Sequence, residues 1–134
     1  MKKGLIILFS ILALLIVIAV ITIKGFSKQF DALLKDIDVQ FGTMETLALT
    51  EIPDGVYEYR YGSIPVFAEL RVHVKDHRIE QIEMLNQSSG PGYDALETID
   101  RILAAQQPKV DVVSGATSSS KVIMIATYKA LKQE

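Results

Sequence analysis

The sequence predicts an α+β protein in which a small, hairpin-rich antiparallel sheet packs with two helices, preceded by one N-terminal transmembrane helix. Three observations carry this prediction: a 20-residue apolar run near the N-terminus, three strand-like stretches of which the first two alternate regularly, and two later stretches of helical periodicity. The 134 residues fit one domain with an appendage. Because the chain has no cysteine, disulfides, thiolate metal sites and a cysteine nucleophile are excluded.

The apolar run extends from Gly4 to Ile23 without a charged residue. At about 1.5 Å per residue, a helix of this length measures about 30 Å, which matches the hydrocarbon core of a bilayer. A cleaved signal peptide is the alternative, although its apolar region is only about 7–15 residues long. Lys2 and Lys3 precede the run, so the positive-inside rule favours a cytoplasmic N-terminus. We therefore expect residues 1–24 to anchor a single-pass cell-membrane protein whose remainder is extracytoplasmic.

The stretch behind the anchor, residues 25–52, has the pattern of a juxtamembrane helix and a connector. Apolar residues recur at helical spacing from Phe26 to Phe41, and Gly42 is a plausible stop. This amphipathic helix is expected to pack on its own domain, to lie at the membrane surface or to bind a partner. From Lys24 onwards, 12 basic residues stand against 16 acidic ones, so no nucleic-acid partner is expected.

Three strands are predicted in the middle of the chain. Residues 56–61 alternate three tyrosines with Val56, Glu58 and Arg60, and residues 68–75 alternate apolar with polar residues. Asp76 and His77 form the tight turn to a third strand over residues 78–85, and His tolerates the positive φ that such a turn requires. Ile79 and Ile82 differ in parity, so we expect a bulge or a twist between them.

Two helices and a short strand are predicted towards the C-terminus. A helix over residues 93–106 ends before Pro108, and a strand over 110–113 leads into a polar turn over 114–120. A closing helix covers residues 121–132. With the three strands, these elements make a domain over residues 53–134.

The turn before the closing helix is the unusual stretch. Gly115 frees the backbone to bend, and one of Ser118, Ser119 and Ser120 is expected to cap the helix. The first amides of a helix suit a phosphate group, and Thr117 offers a hydroxyl beside them. From the residues alone, a capped turn without a ligand and a phosphate-binding turn both remain open.

The run Asp-Val-Val-Ser-Gly-Ala-Thr at residues 111–117 resembles the flavinylation signature Asp-x-x-Ser/Thr-Gly-Ala-Thr of the FMN-binding domain family. That family includes the flavin-bearing C subunit of the Na+-translocating NADH:quinone reductase and the G subunit of Rnf-type complexes. Asp54-Gly55-Val56-Tyr57 is similar to the opening strand of the family, and the later elements follow in family order. The loop 88–92 lacks the Glu-Thr-Pro-Gly segment of larger members. Gly90 and Gly92 either let the backbone approach a flavin or form a plain loop.

The resemblance implies a covalent cofactor. In the family, a magnesium-requiring flavin transferase takes FMN from FAD and joins the FMN phosphate to the last Thr of the motif, which is Thr117 here. The transferase is expected to recognise Asp111, Ser114, Gly115, Ala116 and Thr117. The FMN is expected to contact Ser114, Gly115, Ala116, Thr117 and Ser118. No catalytic residue and no metal site are expected.

The function that the resemblance implies is electron transfer. Covalent FMN would carry electrons from a membrane quinol or a reductase to an extracytoplasmic acceptor, and a stand-alone enzyme is less expected. The alternatives are a non-redox membrane-anchored interaction module with the same fold and a domain that binds FMN non-covalently. The tyrosines at 57, 59 and 61 either stack on the flavin ring or form a sheet face.

Overall fold

The polypeptide folds into one long helix, a three-stranded sheet and two further helices. The structure, a computed structural model, describes residues 1–90 and 92–134. The elements in chain order are α1 (Lys2–Thr43), a short 3-10 turn (Leu49–Glu51), β1 (Gly55–Ser63), β2 (Val66–Lys75), β3 (Arg78–Ser88), α2 (Glu97–Ala105) and α3 (Thr117–Lys132). The predicted α+β class is confirmed.

Helix α1 runs without a break through both the apolar run and the amphipathic stretch behind it. Gly25 does not interrupt it, because one glycine costs a helix only about 1 kcal/mol. The helix ends at Thr43, next to the predicted stop at Gly42. The chain divides into two compact units, Met1–Ala32 and Leu33–Glu134. By length and composition α1 is able to cross a membrane, although an N-terminal signal sequence meets the same criteria.

The sheet is antiparallel with the strand order β1-β2-β3, so β2 is central. Its second connection is the predicted tight turn: Asp76 and His77 have φ values of 50° and 60°. Two consecutive positive φ values are typical of the type I′ hairpin turn, whose twist matches that of the strands.

The predicted bulge in β3 is confirmed. His73 pairs with Gln81, whereas Val74 pairs with Ile79, so Glu80 is the extra residue between them. The bulge lets Ile79 and Ile82 face the core together, and they are 2% and 7% exposed.

The core lies between the sheet and α3. Leu70 and Val72 of β2 are fully buried, and α3 is buried along most of its length. Tyr59 pairs with Leu70 and Tyr57 pairs with Val72, so the tyrosines share their face of the sheet. The tyrosine stripe is therefore a sheet face on the core side.

Tyr61, the third tyrosine, connects the sheet to the C-terminal part of α1. Its buried hydroxyl donates a hydrogen bond of 2.6 Å to Oδ2 of Asp36. Burial and this carboxylate raise the pKa of Tyr61 well above its usual range. The contact holds the end of α1 within the same unit as the sheet.

Three predicted helix boundaries and one predicted strand are wrong. Helix α2 begins at Glu97 and not at residue 93, because Ala95 has a φ of 52°, and it ends at Ala105, because Gln106 has a φ of 53°. Helix α3 begins at Thr117, four residues before the predicted start. Residues 110–113 are not a strand, since the sheet consists of β1, β2 and β3; the side chains of Arg101 and Ser120 bind the backbone of residues 111–113 instead.

Two consecutive glutamines after α2 bind the backbone of distant segments. Oε1 of Gln106 accepts a bond of 2.9 Å from the amide of Ile79, and its Nε2 donates 3.0 Å to the carbonyl of Ile79. Gln107 does the same with Leu47, at 2.9 and 2.8 Å. Each side-chain amide therefore satisfies both polar groups of one backbone residue, as a paired strand would.

Candidate functional site

The segment between α2 and α3 makes a sharp turn just before Thr117. Gly115 has a φ of 79°, which an L side chain adopts only with strain. The amide of Ala116 donates a bond of 3.0 Å to the carbonyl of Val113, which closes the turn. Thr117 then becomes the first residue of α3.

The cap of α3 differs from the prediction. The N-cap residue is Ala116, whose methyl side chain cannot accept a hydrogen bond, and the three serines lie inside the first turn. The buried hydroxyl of Ser120 instead accepts a bond of 2.9 Å from the amide of Val113 and donates 2.7 Å to the carbonyl of Ala116. Ser120 therefore fixes the turn from within. The amides ahead of the first intrahelical bond stay open to a ligand.

Replacing Ser120 by Ala is expected to lower the free energy of unfolding by about 1–3 kcal/mol, because the part-buried amide of Val113 loses its partner, whereas the carbonyl of Ala116 keeps the bond from the amide of residue 120. Urea denaturation of the full chain measures this loss. Ser118→Ala is the control, because Ser118 is half-buried, and a change below about 0.5 kcal/mol is expected there. Equal losses in the two variants would contradict the role given to Ser120.

Thr117 is exposed and lies at the edge of a cleft of about 360 Å³. That volume lies within the range of small-molecule sites, about 300–1,000 Å³. The cleft is lined by Val66, Gly90, Tyr93 and residues 115–119. A hydroxyl, open helix amides and an adjoining cavity therefore lie together, and this arrangement can hold a phosphate ester with a ring system beside it.

The predicted site residues separate into two groups. Gly115, Ala116, Thr117 and Ser118 line the cleft. Ser114 is exposed on the turn but does not line the cleft, and Asp111 borders another depression. That depression is lined by Phe41, Arg101, Ala104, Ala105, Lys109, Val110 and Asp111.

Sequence reasoning missed two walls of the cleft. Val66 begins β2, and Tyr93, which was assigned to a helix, lies in the loop before α2 with half of its side chain exposed. The available signal in the sequence was an aromatic residue directly after Gly92 and three residues after Gly90. A Cβ at Gly90 would lie 3.0 Å from the ring of Tyr93, so the glycine allows the ring to lie against the backbone.

Arg101 holds the segment that leads to the turn. Its Nη1 donates bonds of 3.0 and 2.9 Å to the carbonyls of Asp111 and Val112. Its Nη2 and Nε bind Oε1 of Glu97, one helical turn earlier, at 2.7 and 3.1 Å. The carbonyls of Asp111 and Val112 therefore already have hydrogen-bond partners. In the predicted strand, such carbonyls would have bonded to neighbouring strands.

Comparison with known proteins gives two findings. The family model described as "FMN-binding domain" matches residues 64–132, just over half of the chain. A curated protein of Treponema pallidum (strain Nichols), described as "Uncharacterized protein", is 38% identical over 86 residues, which cover 62% of this chain and 24% of that relative. The aligned part thus spans about a quarter of the relative's length. The family match includes β2, the cleft and the turn before Thr117.

Proposed function

Because the chain belongs to the FMN-binding domain family, we propose that it transfers electrons through FMN joined by its phosphate to Thr117. Family membership and the long N-terminal apolar helix fit a membrane-anchored FMN-binding protein. One observation carries the covalent form of the proposal: the exposed hydroxyl of Thr117 lies at the first turn of α3, at the edge of a cleft of about 360 Å³.

The attachment step balances with FAD as the donor. Thr117 Oγ1 bonds to the FMN phosphorus of FAD, the pyrophosphate bond breaks, AMP leaves and the hydroxyl proton passes to solvent. A threonine alcohol is too weak an acid to react unaided, so a magnesium-requiring transferase supplies the activation. At the start of α3 the ester phosphate is stabilised by the open amides and the helix dipole.

Bound FMN supplies one- and two-electron redox chemistry. The chain's own contribution is to retain the cofactor by the ester bond and to hold its ring in the cleft. Outside the cytoplasm a dissociated cofactor is lost by dilution, and a covalent bond prevents that loss. Lys2 and Lys3 ahead of the apolar run support that orientation. The proposed donor is a membrane quinol or a reductase, and the proposed acceptor is extracytoplasmic.

Mass spectrometry of the full chain, coexpressed with a flavin transferase, tests the covalent link. The intact mass is expected to rise by one FMN minus one water, and the denatured band is expected to fluoresce in a gel. Flavin that is released on denaturation would indicate non-covalent binding. A colourless protein of unmodified mass would favour the interaction module. Reversible bleaching of the flavin absorbance by a quinol or a reductase tests the electron transfer.

Tyr93 is expected to quench the fluorescence of the attached flavin, because its half-exposed ring lines the same cleft as Thr117. Tyr93→Leu removes the aromatic ring and is expected to raise the fluorescence yield per flavin several-fold. Leu96→Ala is the control, since Leu96 is an exposed apolar residue that does not line the cleft. An unchanged yield in Tyr93→Leu would show that the flavin ring lies elsewhere.

A further inference from the structure

We propose that Arg101 is a positioning residue, which holds residues 111–113 in the form that the flavin transferase accepts. The proposal rests on the proposed function, since it concerns the same attachment step. Arg101 lies on α2, outside the motif, and its hydrogen bonds to the motif go to two backbone carbonyls.

Arg101 holds a segment that lies outside the sheet. Residues 110–113 have the β-branched composition of a strand, yet the three-stranded sheet does not include them. A segment that lacks a neighbouring strand is ordinarily free to move, and its carbonyls are left to water. Here one guanidinium group binds two successive carbonyls, those of Asp111 and Val112.

Arg101 is itself held in place by a second partner. The carboxylate of Glu97 binds the opposite edge of the guanidinium group, so the planar group is fixed on both sides. The neighbouring Ile102 is fully buried and fixes α2 in the core. Arg101 therefore transmits the position of α2 to the acceptor segment.

The segment is fixed through its backbone, while two side chains of the motif stay accessible. Ser120 binds the amide of Val113, so the segment is fastened by Arg101 at one end and by Ser120 at the other. The side chains of Asp111 and Thr117 are nevertheless exposed. The segment is therefore already ordered when the flavin transferase binds it, and the entropic cost of ordering it on binding is removed.

Arg101→Lys tests the proposal, because an ammonium group cannot donate through a planar fork to two carbonyls and a carboxylate. The full chain in detergent micelles is incubated with FAD, Mg²⁺ and the transferase, and initial rates are measured by in-gel fluorescence against acceptor concentration. We expect kcat/KM for the acceptor to fall by about 10- to 100-fold, mainly through KM, because the released segment must then be ordered when the transferase binds it. Arg60→Lys is the matched control, since Arg60 pairs with Glu69 on the sheet and does not contact the segment.

A second variant separates positioning from general stability. In Arg101→Ala, added methylguanidinium is expected to restore part of the lost rate, whereas methylammonium at the same concentration is expected to restore little. Urea midpoints are measured for every variant. A wild-type kcat/KM in Arg101→Lys, or a loss that only follows the urea midpoint and is not rescued, overturns the proposal. If the wild-type chain does not accept flavin, both the proposed function and this inference fail. If the wild-type chain accepts flavin and Arg101→Lys accepts it equally well, only this inference fails.

Discussion

A Thr117→Ala variant is expected to keep its unmodified mass after coexpression with a flavin transferase, whereas the wild-type chain gains one FMN minus one water. The reason is chemical: a phosphate ester requires an oxygen nucleophile, and alanine has none. The fold is expected to tolerate the change, because the side chain of Thr117 is exposed at the first turn of α3. The urea midpoint of the variant is therefore expected to stay close to that of the wild type.

Two variants control for the identity of the oxygen. Thr117→Ser keeps a hydroxyl at the same backbone position and is expected to accept flavin, at a lower rate. Ser118→Ala removes the hydroxyl of the next residue along the cleft and is expected to be modified fully. Flavin that remains attached in Thr117→Ala would assign the ester to another residue, and exposed Ser114 would be examined next.

Gly62→Ala is expected to destabilise the domain by about 2–5 kcal/mol, from backbone strain and overpacking together. A Cβ at this position would lie 2.4 Å from the carbonyl oxygen of Val66 and 2.9 Å from Cγ1 of Val122, and Gly62 has a φ of 91°. Neither neighbour yields easily, because Val66 contributes backbone and Val122 belongs to buried α3. Urea denaturation measures the loss, which is a large part of a typical stability of about 5–15 kcal/mol.

Gly92→Ala separates the two causes. Gly92 has a φ of 80°, similar to that of Gly62, but nothing lies within 4 Å of a Cβ placed there. This variant is expected to lose only about 1–2 kcal/mol, the cost of a left-handed conformation alone. If both variants lost the same amount, the close approach of α3 to Gly62 would contribute nothing.

Local patterns were sufficient to predict the sheet. Alternation predicted the first two strands, and the tight turn at Asp76 and His77 led to the third, where the parity of Ile79 and Ile82 predicted the bulge that the structure places at Glu80. The sequence could not show that residues 110–113 lie outside the sheet. Arg101, which occupies their carbonyls, is ten residues away in the chain, and composition alone does not reveal that contact.

The site was only partly predictable for the same reason. Hydroxyl and glycine types at fixed spacing identified Gly115 and Thr117, because these properties belong to a few consecutive residues. Val66 and Tyr93 reach the cleft from β2 and from the loop before α2, so they depend on the tertiary fold. The early start of α3 was missed because the buried hydroxyl of Ser120 binds the turn and does not cap the helix end.

The bond pair between Gln106 and Ile79 has a consequence for how this protein meets other copies of itself. Strand β3 is an outer strand of the sheet, and an outer strand can recruit a foreign strand through its unpaired amides and carbonyls. Gln106 occupies both groups of Ile79, and the bulge at Glu80 breaks the regular spacing directly beside it. At this end of β3, the row of free amides and carbonyls that a second molecule could pair with is therefore interrupted. This interruption disfavours the edge-to-edge pairing of strands with which aggregation begins.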